Sequence, residues 1–169
     1  MEANNTTTKN VNSYLTFKLG EEEFAVHVSN VLNIIEMTRI TKVPQTPGYM
    51  EGVINFRGTV LPVIDTRLKL GMSATEVTEN TCIVVMEMSL KGEKTYIGCL
   101  VDKVEAVYEI DDNQIHEAPE MVKGINENML IGMTRINENL IMVLDIEQVF
   151  SSHELREITS VGEPAENSE

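Results

Sequence analysis

The sequence predicts a mainly β fold: two small five-stranded β-barrels packed together, with short helices. Three observations carry this expectation. Apolar runs are short and separated by turn residues, the mark of many short strands. The stretch Gly52-Val-Ile-Asn-Phe-Arg-Gly-Thr-Val-Leu-Pro-Val-Ile-Asp65 reads as strand, turn, strand and an aspartate before a helix-like segment, and Gly132 to Asp145 repeats it over the same span. Upstream, Val28-Ser29-Asn30-Val31-Leu32-Asn33-Ile34 is echoed by Val101-Asp102-Lys103-Val104-Glu105-Ala106-Val107. Two matches in the same order suggest a duplicated β unit, roughly 14–70 and 82–150. Five strands with one apolar face close most economically into a small barrel, which removes exposed edges.

Residues 1–13 are polar, rich in Asn and Thr, and are expected to form a disordered arm. Tyr14–Leu19 alternates as a strand, Gly20-Glu21-Glu22-Glu23 is a solvated turn, and Phe24–Val28 returns. Val28, Val31, Leu32 and Ile35 recur at helical spacing, which predicts a helix there. Pro44 and Pro47-Gly48 mark a loop before the Gly52–Asp65 hairpin. Pro62 lacks an N–H, which predicts an edge strand or a bulge. Residues 71–80 read as a polar linker. A second hairpin spans about Cys82–Ser89 and Thr95–Val101, turned at Lys91-Gly92-Glu93-Lys94. A loop-rich bridge around Asp111-Asp112-Asn113 and Ala118-Pro119-Glu120 leads to the hairpin 129–144. Asp145 opens a short amphipathic helix. Residues 151–169 are expected to be a helical extension followed by an acidic, flexible tail.

The chain has 169 residues and a net charge of −14, from 27 acidic and 13 basic residues. A polyanion without a Lys/Arg cluster is a poor ligand for nucleic acid or an anionic membrane surface. No signal core and no long apolar run is present, so a cytoplasmic location without membrane insertion is expected. Cys82 and Cys99 lie in strand-like apolar runs and read as buried thiols in a reducing compartment. Ten methionines read as adaptable core filler, with a binding surface as the other possibility.

A search for chemistry finds no catalytic set. His27, His116 and His153 share no metal-ligand spacing with another His, Cys or carboxylate. No nucleophile elbow or phosphate-binding glycine motif occurs. Asp111-Asp112-Asn113 lacks the glycine and distal glutamate of a calcium loop. Asp65 and Asp145, each after a strand and before a helix, read as caps. No cofactor is expected. What remains is surface, and Arg57, at an exposed turn, reads either as a solubility residue or as an interface anchor, since Arg is enriched at hot spots.

Residues Glu51-Gly-Val-Ile-Asn-Phe-Arg-Gly-Thr-Val-Leu-Pro-Val-Ile-Asp-Thr-Arg67 closely resemble the signature of the bacterial chemotaxis coupling protein CheW family. A Val-x-x-Ile segment at Val31 to Ile34, the Val43–Pro47 loop and the Gly98–Val104 run extend the similarity over about residues 12–150. The family usually carries Leu where this chain has Phe56. The resemblance implies two five-stranded, SH3-like β-barrels packed over a hydrophobic seam, and a non-enzymatic adaptor. Such proteins link the cytoplasmic tip of methyl-accepting chemoreceptors to the C-terminal regulatory domain of the histidine kinase CheA. A receptor hairpin is expected in a groove between the barrels, and the kinase domain on a barrel end. By the same resemblance, Arg57 and Gly52 match residues of array function and receptor coupling, and Val31 and Ile83 fall near the receptor groove. Asn33 stands where many relatives have Glu, so no salt bridge carries over to it. A small-molecule sensor using the inter-barrel groove, a kinase-regulatory module acting in trans and an undetected hydrolase are the alternatives. A variant carrying a receiver domain is not expected, the tail beyond Phe150 being too short.

Overall fold

The computed structural model describes residues 11–118 and 129–160. Ten strands succeed one another: β1 (Val11–Leu19), β2 (Glu22–His27), β3 (Val31–Glu36), β4 (Met50–Phe56), β5 (Thr59–Asp65), β6 (Cys82–Leu90), β7 (Glu93–Val101), β8 (Lys103–Asp111), β9 (Leu130–Ile136) and β10 (Asn139–Leu144). Helices α1 (Thr66–Lys69), α2 (Ile146–Val149) and α3 (Ser152–Thr159) follow the strands that feed them. The strands form two five-stranded sheets, ordered β8-β1-β2-β10-β9 and β3-β6-β7-β5-β4.

The duplication is visible in this order. Taking β1–β5 and β6–β10 as repeats, both sheets run third, first, second, fifth, fourth. Each sheet draws its first hairpin from one repeat and its other three strands from the other. The expected sub-barrels 14–70 and 82–150 are therefore corrected: β1 and β2 leave the first unit to pair with β8 and β10, and β6 and β7 join β3 and β5. Burial favours the exchange, because each exchanged hairpin then has both faces covered, so that consecutive residues such as Tyr14–Phe17 and Ile83–Met86 are buried.

Neither sheet closes through a continuous ladder. The segment after each edge strand instead makes one bridge to the opposite edge. Thr41 and Val53 exchange hydrogen bonds of 2.9 and 2.8 Å, and His116 and Met133 exchange bonds of 2.8 and 2.7 Å. Three cores result. Ile54, Leu61, Val63, Ile83, Val85 and Leu100 fill one sheet's concavity. Tyr14, Ala25, Ile110, Ile141 and Val143 fill the other. Between the sheets lies the largest cluster, where Phe17, Leu19 and Val26 meet Val84, Met86, Met88 and Ile97. The buried Met50, Met86, Met88 and Met129 accord with methionine as core filler.

The expected helix over Val28–Ile35 is a strand. Only Val28–Asn30 form a 3-10 turn, and Val31–Glu36 alternate half-buried and exposed along β3. The β-branched Val31, Ile34 and Ile35 suit a pleated strand, and the helical spacing was a coincidence spanning the turn. Pro62 sits in a central strand, not at an edge. It is tolerated because β5 bonds to β7 only from Val63 onward, leaving its flank unpaired at Pro62. Val11–Ser13, expected in the N-terminal arm, open β1; the rest of that arm, part of the Ala118–Glu120 loop and the acidic tail lie outside the described residues. The helical extension is present as α3, whose Ser151 and Glu154 form a reciprocal capping box.

The chain crosses between sheets at Val28–Asn30 and at Asp102, the single residue between β7 and β8. Asp102 holds the second crossing. Its carboxylate accepts from Arg67 Nε at 3.1 and 3.3 Å, from the Arg67 guanidinium terminus and from the Gly20 backbone N–H, while its own N–H donates to Lys18 O at 3.0 Å. One side chain thus joins the β1–β2 turn, the β7–β8 junction and α1. At the first crossing, His27 Nδ1 accepts from Ser29 N, and Asn30 donates to Glu87 O at 2.9 Å and to Glu147 Oε2 at 3.4 Å.

Replacing Asp102 by Ala strands the largely buried Arg67 and the Gly20 N–H, and is expected to lower stability by about 2–4 kcal/mol in urea unfolding. Arg67→Met in the Asp102→Ala background should recover part of that loss, which a double-mutant cycle reads directly. Burial pushes the Cys99 thiol up to about 12, against a smaller lowering by the neighbouring Thr66 side chain. The unfolded thiol ionises near ~8.5, so the native state holds the extra proton and stability falls with rising pH between these values, at up to ~1.4 kcal/mol per pH unit. Cys99→Val should flatten that part of the profile, measured as urea midpoints from pH 8 to 11.

Candidate interaction site

The β4–β5 hairpin turns in two residues, Arg57 and Gly58, with φ of 56° and 81°. Two positive φ angles define a type I′ turn, whose twist matches the flanking strands. Gly58 suits its position, and its N–H donates to Asn55 Oδ1 at 3.0 Å. Arg57 occupies the other left-handed position with its side chain exposed, and its guanidinium carbon lies 4.8 Å from the Phe56 ring centroid. No described carboxylate forms an ion pair with it. The equivalent β9–β10 turn, Asn137-Glu138, has φ of 52° and 70° and no cation.

Arg57 stands at the rim of an open groove of about 600 Å³. Its floor and walls are Leu32 from β3, Val60 and Pro62 from β5, Tyr96 from β7 and Leu90 at the β6–β7 tip, with Thr159 of α3 at one side. Leu32 and Val60 are 40% and 46% exposed, so the surface is apolar and wet. Lys94 adds a second cation, bound loosely to Glu87 at 3.7 Å, and Glu93 a carboxylate. Position α3 is fixed by a separate clamp: Lys69, between the Tyr49 and Phe150 rings at 5.3 Å each, contacts Glu154 Oε1 at 3.5 Å, while Leu155 and Ile158 are buried. Burial, with Glu154 and Glu157 nearby, pushes the Tyr49 phenol up to about 12.

The remaining site residues distribute differently. Gly52 is buried at the base of the Arg57 hairpin. Its φ is +148°, and a Cβ there would lie 2.1 Å from the Thr41 carbonyl oxygen. It is the point where the Thr41–Val53 bridge passes, and Gly132 repeats it against His116 O at 2.5 Å. Gly52 therefore presents no side chain and shapes the hairpin. Val31 and Asn33 share the half-buried face of β3; Val31 packs on the central core and Asn33 Oδ1 accepts from Ile34 N at 2.7 Å. Ile83 is fully buried among the residues of one sheet's own core, so its side chain is not at the surface. Sequence reasoning missed Leu32, Val60, Tyr96 and Lys94. The apolar Val60 beside an exposed turn was the available signal; the assembly from five strands was not.

Asp65 is a cap, accepting from Arg67 N at 3.1 Å and Leu68 N at 3.4 Å, and from Thr75 N and Oγ1 at 2.9 and 2.7 Å; Asp145 accepts from Glu147 N at 3.2 Å. Cys82 and Cys99 are free thiols. Among the described residues, no group of three His, Cys, Asp or Glu side chains is placed to hold a metal ion, and no helix is long and apolar enough to cross a membrane. The fold and groove define a double-sheet β module with an exposed apolar and cationic surface.

Comparison with known proteins gives the family. The CheW-like domain model matches residues 13–154, and the chain belongs to the CheW-like domain family. It is 34% identical over 140 residues to the probable chemotaxis protein CheW of Rhizobium etli, covering 83% of this chain and 88% of that one. It is 31% identical over 148 residues to the chemotaxis protein CheW of Klebsiella aerogenes, covering 88% and 87%. The crystal structure of the scaffolding protein TtCheW from Thermoanaerobacter tengcongensis superposes with a TM-score of 0.72 at 29% identity, over 85% of this chain and 90% of that one.

Alanine at Gly52 must displace backbone and adopt a disfavoured φ, so Gly52→Ala is expected to cost about 2–4 kcal/mol of stability. Gly132→Ala meets the same kind of backbone clash without the disfavoured φ and should cost less, and both losses are read from thermal or urea unfolding without any partner present.

Proposed function

We propose that this protein is a non-enzymatic chemotaxis adaptor that couples transmembrane chemoreceptors to the histidine kinase CheA. The observation that supports this best is membership of the CheW-like family over residues 13–154, which is nearly the whole described chain. The relatives' names place them in chemotaxis, and one is described as a scaffolding protein. The absence of any assembled catalytic set in the sequence reading agrees with a scaffold.

In this reading the protein works in the cytoplasm and is recruited to membrane receptor arrays through its partners. It clamps a receptor tip and the CheA regulatory domain at once, so that a small receptor displacement biases the kinase's populations. An adaptor can shift such an equilibrium only by its differential affinity for the two states. A rigid body is suited to that role, and three contiguous cores supply rigidity. Arg57 is the interface anchor: it is exposed, forms no ion pair among the described residues, and stands beside apolar surface that a partner would dehydrate. The β3 face near Val31 and Asn33 is the candidate receptor side.

Arg57→Ala removes an exposed side chain and its contact with Phe56, and is expected to change stability by no more than ~0.5 kcal/mol. It should weaken assembly with CheA and a receptor cytoplasmic fragment by at least about fivefold, or ~1 kcal/mol, a loss that only a minority of interface residues reach. Co-sedimentation of the three proteins measures this, and an unchanged yield would overturn the anchor role.

A further inference from the structure

We propose that Pro62 is a positioning residue of the interaction surface: having no N–H, it stops the β5–β7 ladder short of the hairpin tip and holds open the groove in which a carboxylate-bearing face of the partner seats beside Arg57. The opening follows from the fold alone. The identity of that partner, the CheA regulatory domain, rests on the adaptor reading above.

The internal repeat supplies the comparison. Strands β5 and β7 run parallel, with Val63, Ile64 and Asp65 opposite Gly98, Cys99 and Leu100. Their counterparts β10 and β2 pair with Ile141, Met142 and Val143 opposite Glu23, Phe24 and Ala25. Gly132 aligns with Gly52 and Val28 with Val101, so Ile141 opposite Glu23 corresponds to Leu61 opposite Tyr96. The register is therefore the same in both repeats, yet the rung at Leu61 and Tyr96 is missing. Ladder geometry gives the cause. In a two-residue hairpin the closing pair is hydrogen-bonded, and bonded pairs then alternate along the strands. Thr59, Leu61 and Val63 accordingly bond to β4, and Glu93, Thr95 and Ile97 to β6. The backbone of Val60 and Pro62 is left to face that of Lys94 and Tyr96. A parallel rung at Leu61 and Tyr96 needs the N–H of residue 62 to reach the Tyr96 carbonyl. Met142 has that N–H in the other repeat, and proline does not.

The size of the two clefts follows. At the pole where the rung is made, the cleft beside Glu138 and Leu140 holds about 360 Å³. At the Pro62 pole it holds about 600 Å³ and lies between β5 and β7. Closing the missing rung would bring these two walls to ordinary strand spacing, ~4.8 Å, and would carry the hairpin tip with Arg57 toward β7. Charge selects the occupant. In a protein of net charge −14, the open groove is lined by two cations, Arg57 and Lys94, against one carboxylate, Glu93. The cleft at the other pole carries four carboxylates against Lys18 and Arg135, and the one beside Cys82 carries Glu36 and Glu79 against Lys103. An acidic face with apolar neighbours is repelled by those two and attracted here, where Leu32 and Val60 are exposed. The backbone groups left outside the ladder offer it hydrogen bonds as well.

The test uses the full chain with Pro62→Val and Pro62→Ala, which both restore an N–H and differ in size. In each, the residue-62 amide should become protected against hydrogen exchange and show NMR coupling to the Tyr96 carbonyl carbon. The urea midpoint should stay close to the parent's, since the new bond and the freer unfolded chain oppose each other. Titration with the CheA regulatory domain should show affinity at least about fivefold lower in both variants. A loss confined to Pro62→Ala overturns the proposal, because lost packing volume is then the cause. A freely exchanging amide at residue 62 overturns it too, since the ladder then stops for another reason. So does a Met142→Pro variant whose Glu23 amide stays protected. If the residue-62 amide is protected and affinity is unchanged, the partner does not use the opening and the proposal falls. Arg57→Ala in the same titration then separates the two readings: a loss leaves the anchor standing, and no loss removes this surface from the adaptor's interface. Self-association of the parent chain that Pro62→Val abolishes makes a second copy the occupant and overturns the assignment to the kinase domain.

Discussion

Everything in this molecule depends on the exchange of hairpins between its two sheets. Each repeat contributes two strands to the other repeat's sheet, so neither half of the chain can complete a sheet alone. The exchanged hairpins β1–β2 and β6–β7 lie back to back and bury the central core between them. They also fill the concavity of the sheet they join. The two crossings are short, and the tighter one is a single aspartate whose carboxylate ties the β1–β2 turn and α1 to the crossing. The exchange makes the relative placement of the sheets a property of the backbone, which is what a scaffold with two faces requires.

The helix-end contacts follow the same plan with different chemistry. Asp65 and Asp145 each cap a short helix, and the residue two positions on reaches a crossing: Arg67 to Asp102 in one copy, Glu147 to Asn30 in the other. The glycine that starts each hairpin is needed for the same reason in both copies, since the bridging segment passes where a Cβ would sit. Conserving this geometry while varying the side chains leaves the frame intact and the surfaces free to diverge. Arg57 belongs to the free part. It is on a turn whose shape is set by backbone angles, next to a groove that five strands and one helix assemble.

Local features were legible in the sequence because their causes are local. The hairpins, the caps at Asp65 and Asp145, the turn arginine and the echo at Gly132–Asp145 all follow from alternation, turn chemistry and capping within a few residues. Strand membership was not legible. Pairing β1 with β8 joins residues about ninety apart, and nothing in one sequence distinguishes that from pairing within the repeat. The helix expected across Val28–Ile35 failed where a 3-10 turn and a strand happened to place apolar residues at helical spacing. Gly52 and Ile83 were expected near partners through family resemblance, and both are buried; their importance to the fold needs no partner contact. The groove was invisible for the same reason as the sheet order, since Leu32, Val60 and Tyr96 come together only once the strands are arranged.

The two hairpin tips, Arg57-Gly58 and Asn137-Glu138, are equivalent positions about an internal pseudo-dyad. In a homodimer with true two-fold symmetry, such positions would be chemically identical and would recognise the same thing. Fusion of the repeats into one chain releases that restriction. One pole carries a cation beside an apolar groove, and the other an acidic side chain near the exposed Leu140. A body with matching shape and opposite polarity at its poles is vectorial: it distinguishes its two ends, and contacts made at one pole do not predict those at the other. The asymmetry resides in turn side chains, while the strand order and the turn angles that present them are shared.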